Sequence, residues 1–218
     1  MAAALPFSPP LYLITDRHRF APPAPGEPFG ADEWRVLDAA IAAGPGAVQL
    51  REKDLDARAL CARAERLVAR CRASGVKLLV NERADVALAA DADGVHLPES
   101  GLTVEAARSL VGADRLVGCS VHAPESLAPR TGANFVLFGP VYDTPAKRAF
   151  GPPQGLERLA AVVRASTVPV LAVGGITVER VPEVLRAGAA GVALIGAILD
   201  ASDPAAAVAA FRRALARR

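Results

Sequence analysis

Cations, amides and hydroxyls recur in this chain at one kind of position, just after a short apolar run. The stretch from Asn134 to Lys147 shows the pattern. Phe135 to Phe138 reads as a buried strand, Gly139-Pro140 breaks it, and a polar loop with Asp143, Thr144 and Lys147 follows. A hydroxyl and an ammonium held at the end of a buried strand suit an anionic ligand. Taken in order, the strand ends carry Thr15-Asp16, then Gln49, Arg51 and Lys53, then Asn81-Glu82, Glu99, Ser120 and His122, Thr144 and Lys147, Gly174-Gly175, and finally Gly196. Several cations, several neutral donors and two glycine turns in one ring suit a phosphorylated small molecule.

Each group has a specific chemical reading. Gly174 and Gly175 precede a helix and let backbone N–H groups approach an anion, and the helix dipole adds to this. Gly196 follows the last strand, the other usual place for a phosphate in a barrel. The alternative is a pair of ordinary tight turns. Gln49, Arg51 and Lys53 alternate, so they share one face while strand geometry lasts. They read as ligand-facing; the alternative is a strand end in which Arg51 or Lys53 pairs with Glu52 or Asp54. His122, with Ser120 nearby, is the candidate for acid–base work, because imidazole titrates near neutrality. His96 reads as a packing residue and His18 as solvent-exposed. Magnesium on a diphosphate wants one or two carboxylates. Asp16, Glu82, Glu99 and Asp143 lie one to a loop, with no acidic cluster.

The elements that must position these groups follow from periodicity. Strands are expected over Leu11–Thr15, Ala47–Arg51, Lys77–Val80, Gly94–Leu97, Leu116–Ser120, Phe135–Phe138, Pro169–Val173 and Gly191–Ile195. They are short, continuous and rich in Val and Leu, as parallel strands covered on both sides should be. Helical patterns alternate with them. Asp32, Thr103, Thr177 and Asp203 read as helix starts, and Gly44, Gly75 and Gly188 as stops. A Pro-rich loop lies between Pro22 and Pro28. About eight strand-then-helix units in 218 residues point to a (β/α)8 TIM barrel in the α/β class, one domain over 1–218. A doubly wound open sheet is the runner-up.

Composition narrows the function. The formal net charge is +2, and Arg58, Arg63, Arg66, Arg70 and Arg72 are spread along a predicted helix, reading as its solvated face rather than a nucleic-acid surface. Cys61, Cys71 and Cys119 have no paired or metal-like spacing, which fits a reduced, cytoplasmic protein. The first residues lack the basic region of a signal peptide, and no apolar run approaches a bilayer span. A small-molecule ligand is therefore expected, with no nucleic acid and no membrane. Monomer and homo-oligomer both stay open.

The strand-end motifs resemble the thiamine phosphate synthase/TenI family. The matching pieces are Tyr12 to Asp16, Gln49-Leu-Arg-Glu-Lys53, Asn81, Asp93 to Leu97, Ser120-Val-His122, Phe138 to Lys147, Gly155-Leu156 and Val173-Gly-Gly-Ile176, in the family's order. For a synthase, the resemblance implies joining of a hydroxymethylpyrimidine diphosphate to a thiazole phosphate with help from Mg2+. Gln49, Arg51, Lys53, Asn81 and Lys147 would bind the diphosphate and pyrimidine. Thr144, Gly175 and Gly196 would bind the thiazole phosphate, with Gly174 beside them.

The sequence departs from the synthase pattern at the metal. Glu82 stands where that pattern has aspartate, Gly101 stands where it has another, and Ala146 replaces a loop threonine. The turn after the fourth strand and Ser120-Val-His122 are similar to TenI-type thiazole tautomerases, which shift a double bond without metal or other cofactor. On this ground the sequence favours a tautomerase with His122 and Ser120 as catalytic groups. The synthase, with Glu82 as the metal ligand, is the alternative. A non-catalytic thiazole- or thiamine-phosphate-binding protein is a further one. A tryptophan- or histidine-pathway isomerase on the same fold would fit the phosphate glycines but not Gln49 to Lys53.

Overall fold

The computed structural model describes residues 4–144 and 152–217. Eight parallel strands close into a barrel in sequence order. They are β1 (Leu11–Ile14), β2 (Ala47–Leu50), β3 (Lys77–Asn81), β4 (Gly94–Leu97), β5 (Leu116–Val121), β6 (Phe135–Phe138), β7 (Val170–Val173) and β8 (Gly191–Leu194). Closure pairs Leu11 to Leu13 of β1 with Val192 to Leu194 of β8. Closure removes the edges that an open sheet would leave unpaired.

The period-2 alternation of each strand divides the core in two. Tyr12, Leu79, Phe135 and Leu171 fill the barrel, with Phe7 packed against them. Tyr12 and Phe135 meet edge to face at 5.5 Å. The alternate residues, such as Leu11, Leu13, Val48, Leu50 and Val80, face outward into a larger cluster under the helices.

The helices are α1 (Ala31–Ala42), α2 (Ala57–Ala73), α3 (Ala84–Ala89), α4 (Val104–Val111), α5 (Gly155–Ala165), α6 (Val181–Arg186), α7 (Gly196–Leu199) and α8 (Pro204–Ala216). Thr103 and Asp203 cap their helices as expected, and Asp56 caps α2 in the same way. Asp56, Thr103 and Asp203 accept from the backbone N–H groups of Ala59, Ala106 and Ala206. Two expected starts differ. Gly30 precedes α1, so Asp32 sits in its first turn. Thr177 is followed by a 3-10 turn over Val178–Arg180 before α6, and its hydroxyl serves Glu179 instead of the helix end. The segment Pro124–Arg130 is also 3-10 rather than α-helical.

One expectation about charge is corrected. Arg63 does not lie on a solvated face; its side chain is 2% exposed, beneath α1. It pairs with the equally buried Glu33, donates to the Pro28 carbonyl at 2.6 Å and stacks over Phe29 at 4.1 Å. The end of the Pro-rich loop is thereby tied to α2. Among the described residues no helix is long and apolar enough to cross a membrane.

Candidate active site

The strands end at one rim, and most of the expected residues gather there. Gln49 is buried inside the barrel and donates to the Tyr12 hydroxyl at 3.3 Å. Arg51 follows on the same face, half-buried, and Lys53 beyond it is exposed. Asn81 closes β3 and pairs in register with His96 of β4. A cavity of about 250 Å³ opens beside Lys53 and Asn81, between the ends of β2 and β3 and the start of α2; Glu52, Glu82 and Arg83 line it with them, and Leu55 and Leu60 form its apolar side.

The carboxylates next to these cations are engaged elsewhere. Glu52 accepts from the Thr15 hydroxyl at 2.6 Å and from the Arg17 N–H at 3.1 Å. Asp54 pairs with Arg17 and lies 3.4 Å from His18. Among the described residues neither Arg51 nor Lys53 takes part in an ion pair. The salt-bridged strand end is therefore not what forms. Two uncompensated cations at a rim attract anions.

Both inner histidines have defined surroundings. His96 is buried between Tyr12 and Phe135, with ring centroids 5.9 and 6.0 Å away. Burial pulls its pKa down to about 3, and the charge of Arg51 pulls the same way. His96 is thus neutral, a packing residue as expected. Its Nε2 lies 3.0 Å from Ser120 Oγ. Ser120 is therefore partnered with His96 on the neighbouring strand, and no hydrogen bond joins it to His122. His122 is half exposed, with Nδ1 2.7 Å from the Gly139 carbonyl. A carbonyl only accepts, so Nδ1 carries a proton and donates to it. Nε2 lies 3.7 Å from Glu99.

At the opposite side of the rim stand Thr144 after β6, Gly174 and Gly175 after β7, and Gly196 at the start of α7. Gly174 and Gly175 have φ of +100° and +62°, which only glycine adopts readily. A Cβ on Gly175 would lie 2.8 Å from both the Asp143 carbonyl oxygen and Tyr142 Cβ. The turn is thus required by its packing on the β6 loop, whatever it binds. Arg180, unremarked in the sequence, braces this turn. It donates to the Gly175 carbonyl at 2.6 Å and stacks on Tyr142 at 4.3 Å, while the Tyr142 hydroxyl donates to Glu183. Nothing local signals this role, because the partners come from three elements. Lys147 lies outside the described residues.

The acidic donors are sparse. Among the described residues no group of three or more His, Cys, Asp or Glu side chains is placed to hold a metal. Glu82 has φ +65°, an unusual conformation for a non-glycine residue and one that collects at functional sites. It shares the cavity with Lys53 and Asn81. Magnesium is held by one or two carboxylates when substrate phosphates and water complete its shell. The donor set fits that arrangement and not a closed protein cage.

Comparison with known proteins gives one answer. Residues 11–198 match the family model for thiamine monophosphate synthase. The chain is 44% identical over 210 residues to the thiamine-phosphate synthase of Roseiflexus castenholzii, covering 95% of this chain and 89% of that protein. It is 44% identical over 187 residues to the thiamine-phosphate synthase of Anaeromyxobacter dehalogenans, covering 85% and 84%. Among solved structures, thiamine phosphate pyrophosphorylase from Pyrococcus furiosus superposes with a TM-score of 0.80 at 32% identity, covering 94% and 95%. A 3-hexulose-6-phosphate synthase, at 23% identity and a TM-score of 0.61, shares the fold alone.

Proposed function

The chain belongs to the thiamine monophosphate synthase family, and from that premise we propose that it is a thiamine-phosphate synthase. It would join a hydroxymethylpyrimidine diphosphate to a thiazole phosphate. The names of its relatives support this alternative over the tautomerase that the metal-site motifs favoured. In the reaction the C–O bond between the pyrimidine CH2 and the diphosphate breaks. A C–N bond forms to the thiazole ring nitrogen, and diphosphate leaves with the electron pair.

The observation that carries this reading is that Arg51 and Lys53, beside Gln49 and Asn81, have no ion-pair partner among the described residues. A leaving diphosphate gathers negative charge, and fixed cations in a partly dry rim stabilise it as it departs. Gln49 and Asn81 supply amide groups that orient the pyrimidine. Thr144 and the backbone of Gly174, Gly175 and Gly196 would hold the thiazole phosphate, and Lys147, outside the described residues, is assigned to the diphosphate by the family resemblance alone. Bound magnesium would neutralise charge on the diphosphate, with Glu82 as its protein ligand. Both substrates would then sit above His96, which stays neutral and adds no competing charge.

Arg51→Met and Lys53→Met test the assignment. Each should raise KM for the pyrimidine diphosphate and lower kcat, while KM for the thiazole phosphate stays within twofold. Equal effects on both substrates would remove these cations from the diphosphate site. One observation keeps the tautomerase as a second reading: the Gly139 carbonyl orients the half-exposed His122 ring through Nδ1 and turns Nε2 toward Glu99 at 3.7 Å, an imidazole–carboxylate pair that could move a proton.

A further inference from the structure

The β1–β2 ladder ends in an unusual handover. Its last backbone bond runs from the Thr15 N–H to the Gln49 carbonyl at 2.9 Å. The next N–H, that of Arg51, is taken by a side chain instead, the Thr15 hydroxyl at 3.0 Å. A backbone donor left unpaired at this depth would be costly. The same hydroxyl donates its own proton to Glu52 Oε1 at 2.6 Å. The other oxygen of Glu52 accepts from the Arg17 N–H at 3.1 Å. One carboxylate therefore ties together the ends of β1 and β2 and the 3-10 turn over Arg17–Arg19.

Strand alternation sets the sides. Arg51 faces the rim, whereas Glu52 turns toward α2 and sits in the wall of the cavity that Lys53, Asn81 and Glu82 also line. Glu52 is 5% exposed, and Arg63, held by Glu33, lies 3.9 Å away. The tie has a second consequence. By fixing the 17–19 turn, it places Arg17 against Asp54, the acidic neighbour that Lys53 would otherwise meet. Arg19 on the same turn pairs with Asp16 and Asp200, which anchors its far side near α7.

We propose that Thr15 and Glu52 form a latch at the ends of β1 and β2 that positions Arg51 and keeps Lys53 free, so that Thr15, outside the cavity, and Glu52, in its wall, set the affinity of the diphosphate site through the cations they place. The inference rests on the reading of Arg51 and Lys53 given above. Thr15 and Glu52 are positioning residues. Glu52 serves through its two acceptor oxygens, and Thr15 through a hydroxyl that accepts from one partner and donates to another.

The test uses the full-length protein, with inorganic pyrophosphate as the binding probe and two-substrate kinetics beside it. Thr15→Val keeps the shape and removes both bonds; Thr15→Ser keeps both. Thr15→Val should weaken pyrophosphate binding about tenfold, the scale of one lost buried hydrogen bond. KM for the pyrimidine diphosphate should rise by a similar factor with kcat within threefold and KM for the thiazole phosphate unchanged. Thr15→Ser should restore both values. Glu52→Gln, with one acceptor oxygen in place of two, should shift them in the same direction. In the wild-type protein the Arg51 amide should exchange with solvent as slowly as the amides of β2. Fast exchange at Arg51 overturns the latch whatever the variants do. So does a folded Thr15→Val that binds pyrophosphate within twofold of wild type, or that worsens both substrates equally. Wild-type protein that binds pyrophosphate but forms no thiamine phosphate would end the synthase reading and leave the latch standing. Wild-type protein that does not bind pyrophosphate would end both.

Discussion

Replacing Arg63 with Met should be among the most damaging single changes in the chain. The Arg63 and Glu33 side chains are each 2% exposed and directly paired, and Glu52 lies 3.9 Å from the same guanidinium. Methionine fills much of the volume but leaves two buried carboxylates without their cation. Breaking a buried pair from one side costs about 3–5 kcal/mol, far more than the net worth of the pair itself. For a chain of this size that is roughly 10 °C in Tm. The sign with pH is also fixed. Burial already holds Glu52 above the usual carboxylate range, with Arg63 among the groups pulling it down, so losing Arg63 raises it further. A carboxyl raised on folding favours the folded state when protonated and loses that contribution as pH rises through its folded pKa. The deficit of Arg63→Met should therefore be largest near pH 8 and shrink toward pH 5. Urea unfolding of wild type and variant at both pH values reads it directly. Glu33→Leu combined with Arg63→Met should be less damaging than Arg63→Met alone, since one stranded charge is removed. A deficit under about 1 kcal/mol, or one that ignores pH, would refute the reasoning.

Two further outcomes can be checked by similar means. His96 is held neutral down to about pH 3, whereas the unfolded chain takes up a proton near 6.5. Stability should thus fall as pH drops below that value, by about 2 kcal/mol between pH 7 and pH 5 from this residue. His96→Gln should flatten that slope in urea titrations. Gly175→Val should cost about 1–3 kcal/mol from its left-handed backbone. It should also shift the Tyr142–Thr144 segment, which the new side chain meets at 2.8 Å. Thiazole phosphate affinity, measured by calorimetry, should fall with it. Affinity equal to wild type would remove this turn from the phosphate site.

The barrel was legible because its signals are local. Short Val- and Leu-rich runs, alternating faces and the caps at Thr103 and Asp203 depend only on neighbours along the chain. What escaped depends on partners from other elements. The helical pattern of α2 shows where Arg63 falls but not that Glu33 arrives from α1 to bury it. Ser120 stands two residues from His122 in sequence, yet its partner is His96 on the neighbouring strand. Gly174 and Gly175 suggested an anion cradle, while their close packing on Tyr142 and Asp143 needed coordinates to see. The four-residue helix α7 is too short for any periodicity to announce. Arg180 looks like one more surface arginine until the Gly175 carbonyl is found beneath it.

The substitutions at the metal region led the sequence toward a metal-free isomerase, because losing aspartates there weakens a cation site. The donor set allows a different outcome, since Glu82 shares a cavity with Lys53 and Asn81 and magnesium needs few protein ligands when substrate brings phosphates.

Turnover of the purified protein decides between the two. Pyrimidine diphosphate and thiazole phosphate are supplied with magnesium and then with EDTA, and thiamine phosphate is followed for wild type and His122→Ala. The account predicts product that requires magnesium and survives in His122→Ala. No product under either condition, together with EDTA-insensitive isomerisation of a thiazole carboxylate phosphate that His122→Ala abolishes, would contradict it.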